Sequence, residues 1–469
     1  MKIALVHYHL RRGGVTSVIM NQGRALAAAG LDFLLIAGEE PPFHADFPFA
    51  QVEGLGYTPA GEAPLSAQEL ADGILRAMES RWGEAADIVH FHNPLIRKNA
   101  VLIPALKILS RQGLRLLLHT HDMAEDFRPD VYHENEEYPE NCHYAVINSR
   151  DYDFLNKAGL EKEGLHLIPN EVSVLPRNEG LKRTRILYPV RAIRRKNIGE
   201  ALLLSLFIPK GTSVAITLPP STKNDRKYER WVSFAGELGL PVEFALGESF
   251  TLAELLGSSI CALTTSVKEG FGFSFLEPWT CGLGLVGRRI DYVCRDFENS
   301  GVSFDKLYSG IEIPRDGIPP GLLEQKIESS MARIYASFKM EMPAHVKRRI
   351  AEGFGGSVDF GRLDEELQEG VISALCKSPA EKRALASANR ILEEIGEIGE
   401  GRGGEGLAEA NRLAIEKSYG REKKQALLLD TYRAVMKTAP RHKICKKSLL
   451  ELYLDPDGLF LVGISDGQP

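Results

Sequence analysis

The sequence predicts an α/β protein made of two consecutive doubly wound units followed by a helix-rich extension. Three observations predict it. Short apolar runs alternate with amphipathic helical patterns over the first 310 residues. That alternation restarts near Arg185. After Pro319 the β-branched runs disappear and charged helical patterns take over.

In the first unit the expected strands are Ile3–Val6, Phe33–Ala37, Ile88–Phe91, Leu114–Leu118, Tyr144–Asn148 and Leu165–Ile168. Each is short, apolar and bounded by polar residues or glycine, as strands buried on both faces are. Thr16–Ala29, Ser66–Arg81 and Asn99–Gln112 carry the helical spacing between them. In the second unit the strands are Arg185–Val190, Ser213–Leu218, Val242–Ala245, Ile260–Thr264 and Leu283–Val286. The helices are Ile198–Leu206, Tyr228–Leu238, Leu252–Leu256 and one beginning at Phe275–Cys281. The join falls near Pro176–Thr184. Ligands of such folds sit at the carboxyl ends of strands, so a ligand between the two units is expected. Beyond Pro319, the Gly/Glu-rich stretch 393–406 reads as a flexible linker. The apolar runs Leu449–Leu454 and Leu459–Ile464 flank Asp455-Pro456-Asp457-Gly458, a hairpin-like signal.

Composition narrows the function. Of 469 residues, 44% are hydrophobic and 26% charged, and the formal net charge is −6. This balance gives no electrostatic case for nucleic acid or an anionic membrane as main partner. No run approaches the ~20 apolar residues of a membrane span. The six cysteines are scattered without a C-x-x-C pair, which fits reduced thiols and a cytoplasmic protein.

The segment Glu269-Gly270-Phe271-Gly272-Phe273-Ser274-Phe275-Leu276-Glu277 follows a strand and opens a helix. Its glycines let backbone approach a ligand, and helix-start amides suit a diphosphate or sugar oxygens. Its two carboxylates can each hold vicinal hydroxyls. The competing reading makes Ser274-x-x-Glu277 a capping box and Glu269 a solvated loop acid. The segment 188–197 ends the first strand of the second unit, and Arg191 and Lys196 there suit a phosphate. The alternative is a basic loop capping a sheet edge. Arg11-Arg12-Gly13-Gly14 is a Gly-rich turn before a helix, without G-x-G-x-x-G or a P-loop lysine.

Ten of the twelve histidines precede residue 167. His90-Phe91-His92 and His119-Thr120-His121-Asp122 end two expected strands. They read as polar contacts or a base in a pocket, or as satisfied core histidines. No third ligand at a fixed position is evident, so no metal site is expected. Asp151-Tyr152-Asp153 reads as an acidic helix start rather than a metal motif.

Together, Glu269-x7-Glu277 with its GFGFSFLE core, Cys281-Gly282-Leu283, Arg191-x4-Lys196, Ile168-Pro169-Asn170 and Asp87-Ile88-Val89-His90-x-His92 resemble the retaining GT-B glycosyltransferases of family 4. That group includes sucrose, trehalose and mannosyl transferases. The resemblance spans residues 1–310. It implies a Rossmann-like acceptor domain over 1–178, a Rossmann-like nucleotide-sugar donor domain over 179–320, and a helical extension over 321–469. It implies that Arg191 and Lys196 neutralise the donor diphosphate and that Glu277 holds the ribose. Glu269 contacts the sugar, supported by the backbone of Gly270, Phe271, Gly272 and Phe273. Gly13 and Gly14 place a loop near the phosphates, and His121, or failing it His119, touches the transferred sugar.

The implied reaction moves a hexose from a nucleoside-diphosphate sugar, UDP or GDP favoured, to a hydroxyl of a soluble acceptor, without metal or other cofactor. Three features depart from the family pattern: Glu171 after Asn170, Pro278 after Glu277, and Gly284 in place of the common proline. A sugar-nucleotide epimerase or phosphorylase, or a non-catalytic nucleotide-sugar sensor, are the alternatives. Oligomeric state stays open.

Overall fold

The computed structural model describes residues 1–11, 13–42, 47–58, 65–221, 225–352, 355–398 and 405–463. The chain divides into two compact units: residues 1–171 with 418–454, and 172–417 with the segment from 455 onward.

Unit one contains β1 (Lys2–Val6), α1 (Gly14–Ala28), β2 (Asp32–Ala37), β3 (Phe49–Gln51), α2 (Ala67–Trp82), β4 (Ile88–His92), α3 (Leu102–Arg111), β5 (Leu116–Thr120), β6 (His143–Val146), α4 (Ser149–Lys157) and β7 (Leu165–Leu167). The strands form one parallel sheet in the order β3-β2-β1-β4-β5-β6-β7. Side chains alternate across a strand. Ala4, Val6, Val89, Phe91, Leu118 and Tyr144 therefore face α2, α3 and α4. Ile3, Leu5, Ile88, Leu117 and Ala145 face α1 on the other side. Ser66 caps α2 in a reciprocal box with Glu69, a device worth about 1 kcal/mol. Asn148 caps α4 through the Asp151 amide, so Asp151 marks a helix start, as expected.

Unit two contains β8 (Arg185–Arg191), α5 (Ile198–Ser205), β9 (Ser213–Leu218), α6 (Arg226–Glu237), β10 (Val242–Glu243), α7 (Leu252–Gly257), β11 (Ser259–Thr264), α8 (Phe273–Thr280), β12 (Leu285–Arg288), α9 (Asp291–Glu298) and β13 (Leu307–Tyr308). Its parallel sheet runs β10-β9-β8-β11-β12-β13. Gly287 has φ +141° and a Cβ there would lie 1.9 Å from the Thr264 carbonyl oxygen, so only glycine allows this strand approach. Pro189, which cannot donate to the ladder, lies within a register shift between Tyr188 and Arg191.

The same unit continues through β14 (Glu312–Pro314), α10 (Leu322–Ser337), α11 (Ala344–Ala351), β15 (Ser357–Asp359), α12 (Glu365–Lys377), α13 (Pro379–Ala388), α14 (Arg390–Gly396) and most of α15 (Glu405–Tyr419). Residues 321–469 thus form no separate body. Within the expected linker, 393–396 close α14 and 405–406 open α15; residues 399–404 lie outside the described residues.

The chain then returns to unit one as α16 (Arg421–Lys437) and α17 (Lys446–Tyr453). Leu428, Tyr432 and Val435 of α16 complete the α1 face of the first sheet. Leu449 and Tyr453 of α17 join the opposite core. His442 stitches the return: its Nδ1 accepts from the Glu161 amide at 3.0 Å and its Nε2 donates to the Cys142 carbonyl at 2.7 Å. Among the described residues the expected terminal hairpin is absent. Lys446–Tyr453 is helical because 449, 450 and 453 share one buried face, and Pro456–Gly458 is a 3-10 turn. Among the described residues, no helix is long and apolar enough to cross a membrane.

Candidate functional site

Two turns of unit two meet at the carboxyl ends of β8 and β11. After β8 the chain makes a 3-10 turn over Arg194–Lys196 and passes through Asn197 at φ +50°. After β11 it runs through Thr265 and Ser266 to Glu269. The turns are laced together. The Val267 amide donates to the Arg195 carbonyl at 3.0 Å. The Tyr188 and Thr265 hydroxyls donate to the Lys196 carbonyl at 2.6 and 2.9 Å.

This lacing buries Glu269 against two cations. Its carboxylate accepts from Lys196 Nζ and, at 3.0 Å, from Arg195 Nη1. Burial pushes Glu269 up, but the Lys196 and Arg195 charges outweigh it and hold the carboxyl below the usual range. Burial lowers the Lys196 ammonium despite its partner. The Tyr292 hydroxyl, on α9, bonds both the amide and the carbonyl of Glu269 and fixes the loop. Lys196 and Glu269 were both legible in the sequence. Arg195 and Tyr292 were not: the 3-10 turn chooses among three consecutive basic residues, and the 8 residues of α9 are too short a pattern to stand out.

Arg191 is not part of this cluster. It is exposed at the end of β8 and donates to the Pro219 carbonyl at 2.9 Å.

Gly272 opens α8 with φ +94°, and a Cβ there would lie 2.6 Å from Val293 Cγ1. The capping box at Ser274 is not formed; Ser274 Oγ is buried without a hydrogen bond. Phe271 stacks edge-on with Phe273 and Phe297, which props the Gly-rich turn. Glu277 lies one turn into α8, mostly buried, and burial alone pushes its carboxyl up to about 7. A carboxylate desolvated without a cation is held ready for a ligand that supplies donors. A shift from 4.5 to about 7 makes its ionisation cost about 3 kcal/mol of stability. The folded pKa is raised, so this penalty is absent below the unfolded value and complete above about 7. Glu277→Gln is therefore expected to raise Tm at pH 8 and leave it unchanged near pH 4, read by calorimetry at both.

In unit one, Gly13 and Gly14 start α1. A Cβ added at Gly14 would meet no atom within 4 Å, and one at Gly13 only the Arg11 carbonyl at 3.9 Å, so the fold itself does not demand glycine there. Arg12 lies outside the described residues. β4 and β5 pair with His92 directly beside His119. His90, His92, His119 and His121 therefore form one buried, stacked row. Burial lowers all four imidazoles, His90 to about 3 and His121 to about 4. The Asn93 side-chain oxygen accepts from the His121 and Asp122 amides at 3.1 and 3.0 Å and sets the end of the row.

The fold of this chain is shared with solved structures. Sucrose-phosphate synthase from Thermosynechococcus elongatus matches with TM-score 0.54 at 15% identity, over 92% of this chain and 98% of that one. Anabaena Alr3699/HepE in complex with UDP and glucose matches with TM-score 0.55 at 12% identity, over 92% and 99%. The chain has the GT-B glycosyltransferase fold. Among curated proteins, the GT-B chain is 26% identical to mannosylglucosyl-3-phosphoglycerate synthase of Petrotoga mobilis over 408 residues, covering 78% of this chain and 79% of the relative. No family model matches it.

Proposed function

We propose that the chain is a retaining glycosyltransferase of family 4 type that moves a hexose from a nucleoside-diphosphate sugar, UDP or GDP, to a hydroxyl of a soluble small molecule or glycan. The observation that carries this is the Lys196–Arg195–Glu269 cluster, together with a second desolvated carboxyl in the same unit, Glu277 of α8, that has no cation partner among the described residues. In this reading the donor diphosphate takes Lys196 away from Glu269, with Arg191 reaching it from the end of β8. Glu269 then accepts from sugar hydroxyls, and the ionised Glu277 accepts from the ribose. Gly270 to Phe273 supply backbone contacts, and Gly13 and Gly14 leave room near the phosphates.

His121, neutral at physiological pH, serves as a polar contact to the sugar, with His119 behind it. The acceptor hydroxyl attacks on the face the diphosphate leaves, and the departing phosphate takes the proton. The protein's contribution is positioning and charge stabilisation. Lysine and arginine supply the diphosphate's counter-charge, so no metal on the diphosphate is called for. A cytoplasmic setting suits six free cysteines and a nucleotide-sugar donor. The relative's name makes 3-phosphoglycerate and its glucosyl derivative the first acceptors to try.

The test is a thermal-shift series with UDP, GDP, ADP and their sugar conjugates, with and without EDTA. Ligand at 100 times Kd adds about 2.7 kcal/mol of native-state stability. A shift with one nucleotide family whose size EDTA leaves unchanged is expected. No shift with any of them overturns the reading.

A further inference from the structure

The parallel register of β4 and β5 supplies what the sequence left without a partner. Placing His92 beside His119 brings two His-x-His pairs onto one face of the sheet. One ring nitrogen each of His90, His92 and His119 then lies within 4.8 Å of the others, in a fully buried setting. We propose that these three histidines bind a divalent transition-metal ion such as zinc.

Two features of the row support the site. His92 Nε2 is buried and makes no hydrogen bond among the described residues, a costly arrangement for a polar atom unless something occupies it. Two of the three outer nitrogens are already held: His90 Nδ1 lies 2.8 Å from the Tyr432 hydroxyl and His92 Nδ1 lies 3.0 Å from His121 Nε2, whereas His119 Nε2 makes no hydrogen bond among the described residues. Such outer contacts orient histidine ligands.

His90 Nε2 also lies 3.2 Å from His119 Nδ1, a contact that needs a proton between them. An ion takes that proton's place when His90 carries its own proton on Nδ1, where the Tyr432 oxygen accepts it. Nitrogens at ~2.1 Å from an ion sit roughly 3.4 Å apart, which modest ring rotations reach. An all-imidazole set selects zinc, cobalt, nickel or copper over magnesium and calcium, which prefer oxygen. The site does not rest on the donor reading, in which His90 and His92 have no role and His119 only stands behind His121. Its consequence for unit one is that the ion clamps β4 to β5 and fixes His121 through His92.

The experiment uses the untagged full-length chain, stripped with a chelator and titrated with Co(II) and Zn(II). Metal content, the visible d–d bands of cobalt and Tm are followed. One ion per chain is expected, with tetrahedral-type cobalt bands and a Tm rise reversed by EDTA. His92→Gln is expected to weaken binding by more than the 10–100-fold that disturbing an outer partner costs. His90→Gln makes the same measurement if His92→Gln does not fold. A folded wild-type chain that takes up no cobalt, or a variant that binds as tightly as wild type, overturns the proposal. The nucleotide-induced shift is read separately, so failure here leaves the donor assignment standing and the converse.

Discussion

Lys196→Ala is expected to lower the transfer rate about 100–1000-fold, the usual cost of removing one preorganised charge from a transition state. Nearly all of that loss should appear in turnover, because the diphosphate gathers charge as the sugar leaves. Stability should change little. Lys196 is held by a single carboxylate, and Arg195 still faces Glu269 at 3.0 Å when the lysine is gone. Glu269→Ala is the reciprocal case: it leaves Lys196 and Arg195 without their carboxylate and removes the sugar contact. It should lower transfer to a similar extent while nucleotide binding stays the same or tightens. Steady-state kinetics with each variant, alongside Tm, check both; near-normal activity in both variants sinks the assignment.

The largest stability effect lies beneath that site. Arg288 of β12 is buried and forked between Glu200 of α5 and Asp359 of β15, with four nitrogen-to-oxygen contacts between 2.6 and 2.9 Å. Glu200 also accepts from Tyr308 at 2.6 Å and from Asn197 Nδ2 at 2.8 Å. Burial raises the Glu200 carboxyl even with Arg288 beside it. Arg288→Met strands two carboxyls, and breaking such a buried arrangement costs about 3–5 kcal/mol. Without the guanidinium the buried Glu200 carboxyl favours the protonated form more strongly. The loss should therefore be smaller near pH 5 and grow towards pH 8. Denaturant unfolding at the two pH values measures it. Asn197 directly follows Lys196, so the same variant should also loosen the donor turn.

The inner strands of both sheets were legible because strands buried on both faces are continuous apolar runs of four to seven residues. β3 and β13 were missed because two or three residues carry no period. Glu269, Glu277 and Lys196 could be read because local turns position them. The histidine row could not, because it depends on how β4 and β5 align, which no local pattern states. At the C-terminus a real turn at Asp455–Gly458 suggested strands on either side, and it outweighed the helical spacing of Leu449, Leu450 and Tyr453.

The return of α16 and α17 to unit one bears on how the protein is made. Residues 1–171 leave the ribosome with the sheet face that Leu428, Tyr432 and Val435 will cover still open to water. At 5–20 residues per second, the roughly 250 residues before α16 take on the order of tens of seconds to appear. Through that interval the first sheet waits with an apolar face uncovered and is exposed to aggregation and to chaperones. A nascent chain cut short before residue 418 never leaves that state. The final thirty-odd residues of unit one thus act as a completion check: only a chain translated past residue 454 can close its first core.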